Sequence, residues 1–157
     1  MTFKERGEIG DQAENRAKSY FKKSNYFIAR YGMDAKGIKE AYNHWGTIPS
    51  LVTGTPDFIL VAKDKPYFLE VKACGKYLKF KLHDIDIYKE WNKGIFCEMK
   101  LLLFVYSTTY NQHYILTFDK ILKLIKENNY RIERYENNNK PYYEIPLGDL
   151  DVKEKNN

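Results

Sequence analysis

Three ionisable residues, Asp57, Glu70 and Lys72, stand where a short hairpin could gather them. Asp57 closes Gly54-Thr-Pro-Asp57 and opens an apolar run over 57–62, while Glu70-Val-Lys72 lies near the end of a second run over 67–74. Side chains alternate along a strand, so Glu70 and Lys72 share one face and Leu69 and Val71 take the other. Residues 63–66 read as a four-residue hairpin connection. That register sets Val61 and Ala62 near Phe68 and Tyr67, and so places Asp57 opposite Lys72 and on its face.

Burying such charges beside Ile59, Leu60, Phe68 and Leu69 costs several kcal/mol per ion unless they pair or bind a metal. Two carboxylates at a sheet end suit Mg²⁺, a hard cation that takes oxygen ligands and keeps several waters. Such an ion acidifies a bound water and neutralises charge on a phosphodiester, while a neighbouring lysine positions or deprotonates that water. The chemistry indicated is metal-assisted phosphodiester hydrolysis; the bland alternative is a salt-bridged triad that supports the hairpin. An acid two residues before a lysine also occurs at Asp34/Lys36, Glu98/Lys100 and Asp151/Lys153, so the spacing alone decides nothing. Only Glu70/Lys72 combines a partner strand, a preceding Pro-Asp and apolar flanks.

The elements that must position these groups follow from periodicity. Ile9, Ala13, Ala17, Tyr20 and Phe21 recur at spacings of three and four and predict an amphipathic helix over 7–23. Residues 25–53 are punctuated by glycines and read mostly as loop, with a possible short helix over 37–45. After the hairpin come a helix over 82–92 ending near Gly94, strands over 100–106 and 113–118, and a helix over 119–127. Residues 130–135 and 142–145 read as a terminal hairpin across the Asn137-Asn138-Asn139 turn. The order αββαββαββ implies an α/β or α+β domain, a mixed sheet with helices against it.

At 157 residues the chain is one domain, taken as 1–150 with a polar, frayed tail over 151–157. Its 43% hydrophobic content is that of a globular protein rather than a disordered one. Two cysteines supply no disulfide framework and no zinc-finger spacing. No apolar run is long enough to span a bilayer and no signal core opens the chain, so the reading is cytoplasmic. A formal charge of +5 favours a polyanionic partner. Lys76, Lys79, Lys81 and Lys89, interleaved with Tyr77 and Phe80, are the best candidate DNA-backbone patch, or else a solvated face. Arg30, Lys36, Lys39, His44 and Trp45 either touch DNA or cover the core. His44, His83 and His113 share no metal-ligand spacing, and Cys74 and Cys97 read as small buried hydrophobes.

Thr55-Pro-Asp57, twelve residues, then Glu70-Val-Lys72, with an apolar run in each strand, resembles the PD-(D/E)XK nuclease superfamily. Gly10-Asp-Gln-Ala-Glu14-Asn-Arg-Ala17 is similar to the first helix of archaeal-type and phage Holliday-junction resolvases. The resemblance implies a restriction-endonuclease-like mixed sheet flanked by helices, with an αβββαβ-type core, followed here by a C-terminal helix and hairpin. It implies Asp57, Glu70 and the main-chain carbonyl of Val71 as metal ligands, Glu14 as an additional acid from the first helix, and Lys72 as the residue orienting the attacking water. It further implies Mg²⁺, with Mn²⁺ substituting, 5′-phosphate and 3′-hydroxyl products, DNA as substrate with four-way junctions foremost, and a two-fold homodimer. A sequence-specific or phage-type duplex endonuclease of the same fold, and a non-catalytic DNA-binding domain, are the alternative readings. Some superfamily members carry a Gln and a Tyr four apart on the helix after the hairpin. Asp84 and Tyr88 hold that spacing here, and Asp84 reads as a helix-start acid.

Overall fold

The chain folds as α1 (Phe3–Lys23), β1 (Phe27–Arg30), a 3₁₀ turn (Trp45–Thr47), α2 (Ser50–Thr53), β2 (Phe58–Ala62), β3 (Lys65–Cys74), β4 (Tyr77–Lys81), α3 (Leu82–Asn92), β5 (Lys100–Ser107), β6 (Gln112–Thr117), α4 (Phe118–Glu127), β7 (Ile132–Arg134), β8 (Pro141–Pro146) and α5 (Leu147–Leu150). This computed structural model describes residues 3–32, 44–94 and 98–151. Lys36, Lys39, Cys97, most of the possible helix over 37–45 and the tail beyond Asp151 lie outside the described residues.

Five strands form a mixed sheet in the order β1-β2-β3-β5-β6. The β3–β5 pair is parallel and the other pairs are antiparallel. A parallel pair needs a crossover. Here the crossover is β4 and α3, which brings α3 onto one face of the sheet. The fold is therefore mixed α/β, and α1, β1, β2, β3, α3 and β5 supply the αβββαβ-type core.

The two faces bury different layers. Ala13, Ala17 and Phe21 of α1 pack on Phe58, Leu60, Leu69, Phe104 and Tyr106. Phe68, Leu101, Leu103 and Val105 point the other way, onto Ile85, Tyr88 and Trp91 of α3, Phe118 and Ile121 of α4, and the inner residues of a second sheet. Glu70 and Lys72 share the parity of Phe68, so they face α3 and not α1.

Four expectations are corrected. The stretch 25–53, read mostly as loop, contains β1, which adds an edge strand against β2. At four residues it is too short for alternation to register. The hairpin connection is two residues, Lys63 and Asp64, both at positive φ (50° and 64°), the backbone that a type I′ turn needs. Pro66 belongs to β3, opposite Val61, where it pairs with β2 alone because the β3–β5 ladder begins at Tyr67. Phe58 consequently lies opposite Leu69, and Asp57 falls beside Glu70 instead of Lys72. The slip is two residues, so the predicted face survives. Finally, residues 77–81 form the unpredicted strand β4, whose Leu78 and Phe80 are buried between exposed Tyr77 and Lys79. It pairs with β8, so the terminal hairpin belongs to a separate three-stranded sheet in the order β4-β8-β7. Among the described residues no helix is long and apolar enough to cross a membrane.

Candidate active site

Asp57 is fixed from both sides before β2 begins. Its main-chain oxygen accepts from the amides of Tyr31 (2.9 Å) and Gly32 (3.1 Å) at the end of β1. Its Oδ2 accepts from the Val71 amide at 2.8 Å. The approach to residue 32 leaves no room for a side chain, since a Cβ there would lie 2.8 Å from the Pro56 carbonyl oxygen. The carboxylate is thereby held against the strand that carries Glu70 and Lys72.

Glu70 is buried, and its Oε1 accepts from the Tyr88 hydroxyl at 2.5 Å. The same oxygen lies 2.9 Å from Lys72 Nζ. That ammonium also reaches Asp84 Oδ2 at 3.2 Å and sits 5.0 Å from the centre of the Tyr88 ring. Asp84 occupies the first turn of α3 and Tyr88 lies one turn further on, so the (i, i+4) relation presents both to β3. These two were not among the site residues read from the sequence. Their Asp-x-x-x-Tyr spacing after the hairpin was the available signal, and Asp84 combines its helix-start position with an ion pair to Lys72.

The electrostatics are those of a crowded acid site. Burial, then the charge of Glu70, push the Asp57 carboxyl up to about 7, against the opposing effects of the Val71 amide and Lys72; Glu14 adds a smaller upward push. Burial alone would lower the Lys72 ammonium, but Glu70, Tyr88 and Asp84 together hold it well above the ordinary lysine range. Burial followed by Glu70 likewise drives the Tyr88 phenol well upward, so Tyr88 acts as a hydrogen-bond donor.

Glu14 approaches from the α1 layer, close enough for its charge to bear on Asp57, and pairs with Arg30 at 2.5 Å. Arg30, a candidate DNA contact, also lies over the Phe58 ring at 5.3 Å. Lys79 and Lys81 of β4 sit over the Tyr135 ring at 5.8 and 6.0 Å, and Lys81 leads directly into α3. Lys76 stands at the far end of β4, beside Tyr77 and Tyr110. Burial raises the Cys74 thiol to about 11, which suits a packed residue rather than a nucleophile.

Among the described residues no group of three His, Cys, Asp or Glu side chains forms a ready-made metal cluster. The donor set at Asp57 and Glu70 nevertheless fits a hard divalent cation. Two neighbouring carboxyls in a poorly solvated place cannot both ionise freely, which is why Asp57 is raised, and a bound cation reverses that penalty. Asp57, Glu70 and the Val71 carbonyl would hold such an ion, with Glu14 the further acid within electrostatic reach.

The five-stranded mixed sheet with helices on its faces is an arrangement that solved structures share. Archaeoglobus fulgidus Hjc, a Holliday junction resolvase from an archaeal hyperthermophile, is similar at a TM-score of 0.54 and 11% identity, over 90% of this chain and 86% of that one. D212, a nuclease from a fusellovirus, is similar at a TM-score of 0.51 and 12% identity, over 95% of this chain and 86% of that one. No known family profile and no curated protein matches the sequence. The likeness at this identity is one of fold: the chain shares with both proteins the mixed α/β architecture, a five-stranded sheet flanked by helices, that was expected from the sequence.

Proposed function

We propose that the protein is a Mg²⁺-dependent DNA endonuclease, cytoplasmic and structure-selective, with Holliday junctions as its preferred substrate and a homodimer as its working form. The observation that carries the reading is the convergence of Asp57, Glu70, Lys72, Asp84 and Tyr88 beside β3, in a fold shared with a resolvase and a viral nuclease. Asp57, Glu70, the Val71 carbonyl and Glu14 would hold the ion. When bound, Mg²⁺ supplies a more acidic water and neutralises charge developing on the phosphate. Lys72, kept protonated by its acidic neighbours, donates to the attacking water or to a phosphate oxygen; it orients and does not take the proton. Tyr88 fixes the rotamer of Glu70, and Asp84 fixes that of Lys72. A two-fold dimer would present two such sites to the paired strands of a junction.

The test is cleavage of a labelled four-way junction against linear duplex with the same arms, in Mg²⁺ and in EDTA. Metal-dependent cutting of the junction that is lost in Asp57→Ala supports the reading. Equal cutting of the linear duplex moves the assignment to a duplex endonuclease. One observation favours a non-catalytic reading: Lys72 is already engaged by two acids, as in a purely structural network. A protein that gains no stability from Mg²⁺ and cuts neither substrate would be that DNA-binding domain.

A further inference from the structure

A cleft of about 530 Å³ lies between the N-terminal part of α1 and the small sheet, lined by Arg6, Lys79, Arg134, Tyr135 and Tyr142. Tyr142 is buried, and the half-buried Tyr135 ring rests on it, with centres 4.4 Å apart and planes inclined by 45°. Lys79 Nζ stands 5.0 Å from the Tyr142 ring centre and 5.8 Å from that of Tyr135, and Lys81 Nζ 6.0 Å from Tyr135. The rings therefore hold both ammonium groups in place, which lowers the entropy lost when an anion binds them. Glu133 and Glu136 also line the cleft, but Glu133 is paired with Arg131.

The strand that lines the cleft, β4, runs toward the candidate active site. Lys79 and Lys81 are two residues apart on one strand, hence about 6.6 Å along it, comparable to the step between successive phosphates of a nucleic-acid strand. Directly after Lys81, α3 begins, and its first turn carries Asp84 with Lys72 on it. Burial, then Tyr142 and Asp84, push the Tyr135 phenol above its ordinary range, with Lys72 opposing, so the ring lies within electrostatic reach of that pair. A row of two positioned cations thus leads to the acids, with an aromatic rim beside it. A space of this volume takes one or two nucleotides and cannot enclose a double helix, and a base reaches an aromatic face only when unpaired.

We propose that this cleft is a subsite for one or two unpaired nucleotides next to the bond to be cut, with Lys79 and Lys81 on the phosphates and Tyr135 under a base. The proposal rests on the nuclease reading above and names the part of the substrate that the small sheet adds. Binding in EDTA separates the two, because nothing need be cut. A fluorescent blunt duplex and the same duplex with a short unpaired thymidine tail are compared by anisotropy over a range of salt. The tailed form should bind the wild-type protein at least about fivefold more tightly, the low end for one stacked base. Tyr135→Ala should bring that ratio towards one. Lys79→Gln should reduce the salt slope for the tailed form by about one. Equal wild-type affinity for the two forms overturns the proposal, as does an unchanged ratio in folded Tyr135→Ala; should that variant fail to fold, an unchanged slope in Lys79→Gln overturns it. A tail preference that depends on these residues, in a protein that cuts nothing in Mg²⁺, would leave the subsite standing and remove the nuclease reading. Metal-dependent cutting without any tail preference would do the reverse.

Discussion

The Tyr88 hydroxyl and the Lys72 ammonium meet on the same oxygen of Glu70, at 2.5 and 2.9 Å. Glu70 thus has one oxygen held by two donors, and its carboxyl plane is set by a helix that follows it in sequence. Tyr88→Phe removes one donor and keeps the ring on which the Lys72 ammonium sits. Partners of this kind are worth about 10- to 100-fold in metal affinity or activity. The Mg²⁺ concentration for half-maximal cleavage should rise by about tenfold in Tyr88→Phe, with stability lowered by only about 1–3 kcal/mol. A metal titration of cleavage, read beside urea unfolding, checks both.

Asp57 makes the metal-free protein sensitive to pH in an unusual direction. Its carboxyl ionises near 3.8 when unfolded and near 7 when folded. Between those values the folded state retains a proton that the unfolded state has released. Stability must therefore fall as pH rises through that window, by about 4 kcal/mol at most. Urea unfolding in EDTA should give a lower midpoint at pH 8 than at pH 5 from this group, and Asp57→Asn should flatten the difference. Added Mg²⁺ should restore stability at pH 8 in the wild type and not in Asp57→Asn.

Lys72 has the opposite sign. Its removal leaves Glu70 and Asp84 facing each other without their shared cation. Loss of one partner from a buried pair costs about 3–5 kcal/mol, and the partial exposure of Lys72 brings the expectation to about 2–4 kcal/mol for Lys72→Ala. Asp57→Asn and Lys72→Ala should both abolish cleavage while moving metal-free stability at pH 8 in opposite directions. Two losses of stability would show that Asp57 is not a strained acid.

The catalytic candidates on β3 were legible because a strand of period two fixes faces whatever the exact pairing. Glu70 and Lys72 had to lie together, and a register error of two residues left Asp57 on their side. The error itself came from Pro66, a turn former by composition that occupies a strand position lacking a second neighbour. Asp84 and Tyr88 were harder, because their meaning depends on a crossover that lays α3 over β3, a tertiary fact absent from local periodicity. Strands β1 and β4 were missed for local reasons: one is four residues long, and the other hides Leu78 and Phe80 among lysines.

Gly32 carries a prediction about geometry rather than charge. Its amide bonds to the Asp57 carbonyl at 3.1 Å, and an added Cβ would meet Pro56 O at 2.8 Å and Asp57 Cα at 3.2 Å. Both obstacles are backbone, so relief requires the Pro56-Asp57 segment to move. Overpacking of this kind costs about 1–3 kcal/mol. A displacement of about 1 Å at a catalytic group costs on the order of 100-fold in rate. Gly32→Ala should therefore lose far more activity than stability, measured as kcat against the urea midpoint.

Glu14 and Arg30 allow the role of the first-helix acid to be isolated. The pair is partly exposed, so its loss should change stability by no more than about 1 kcal/mol. If Glu14 completes the metal set, Glu14→Gln should weaken the Mg²⁺ dependence of cleavage while leaving DNA binding in EDTA unaltered or slightly stronger, since one negative charge is gone. Arg30→Gln releases Glu14 from its partner and removes a positive charge, so it should weaken DNA binding in EDTA and leave Mg²⁺ affinity intact or improved. If both variants shift the metal titration in the same direction, Glu14 acts through Arg30 and not on the ion.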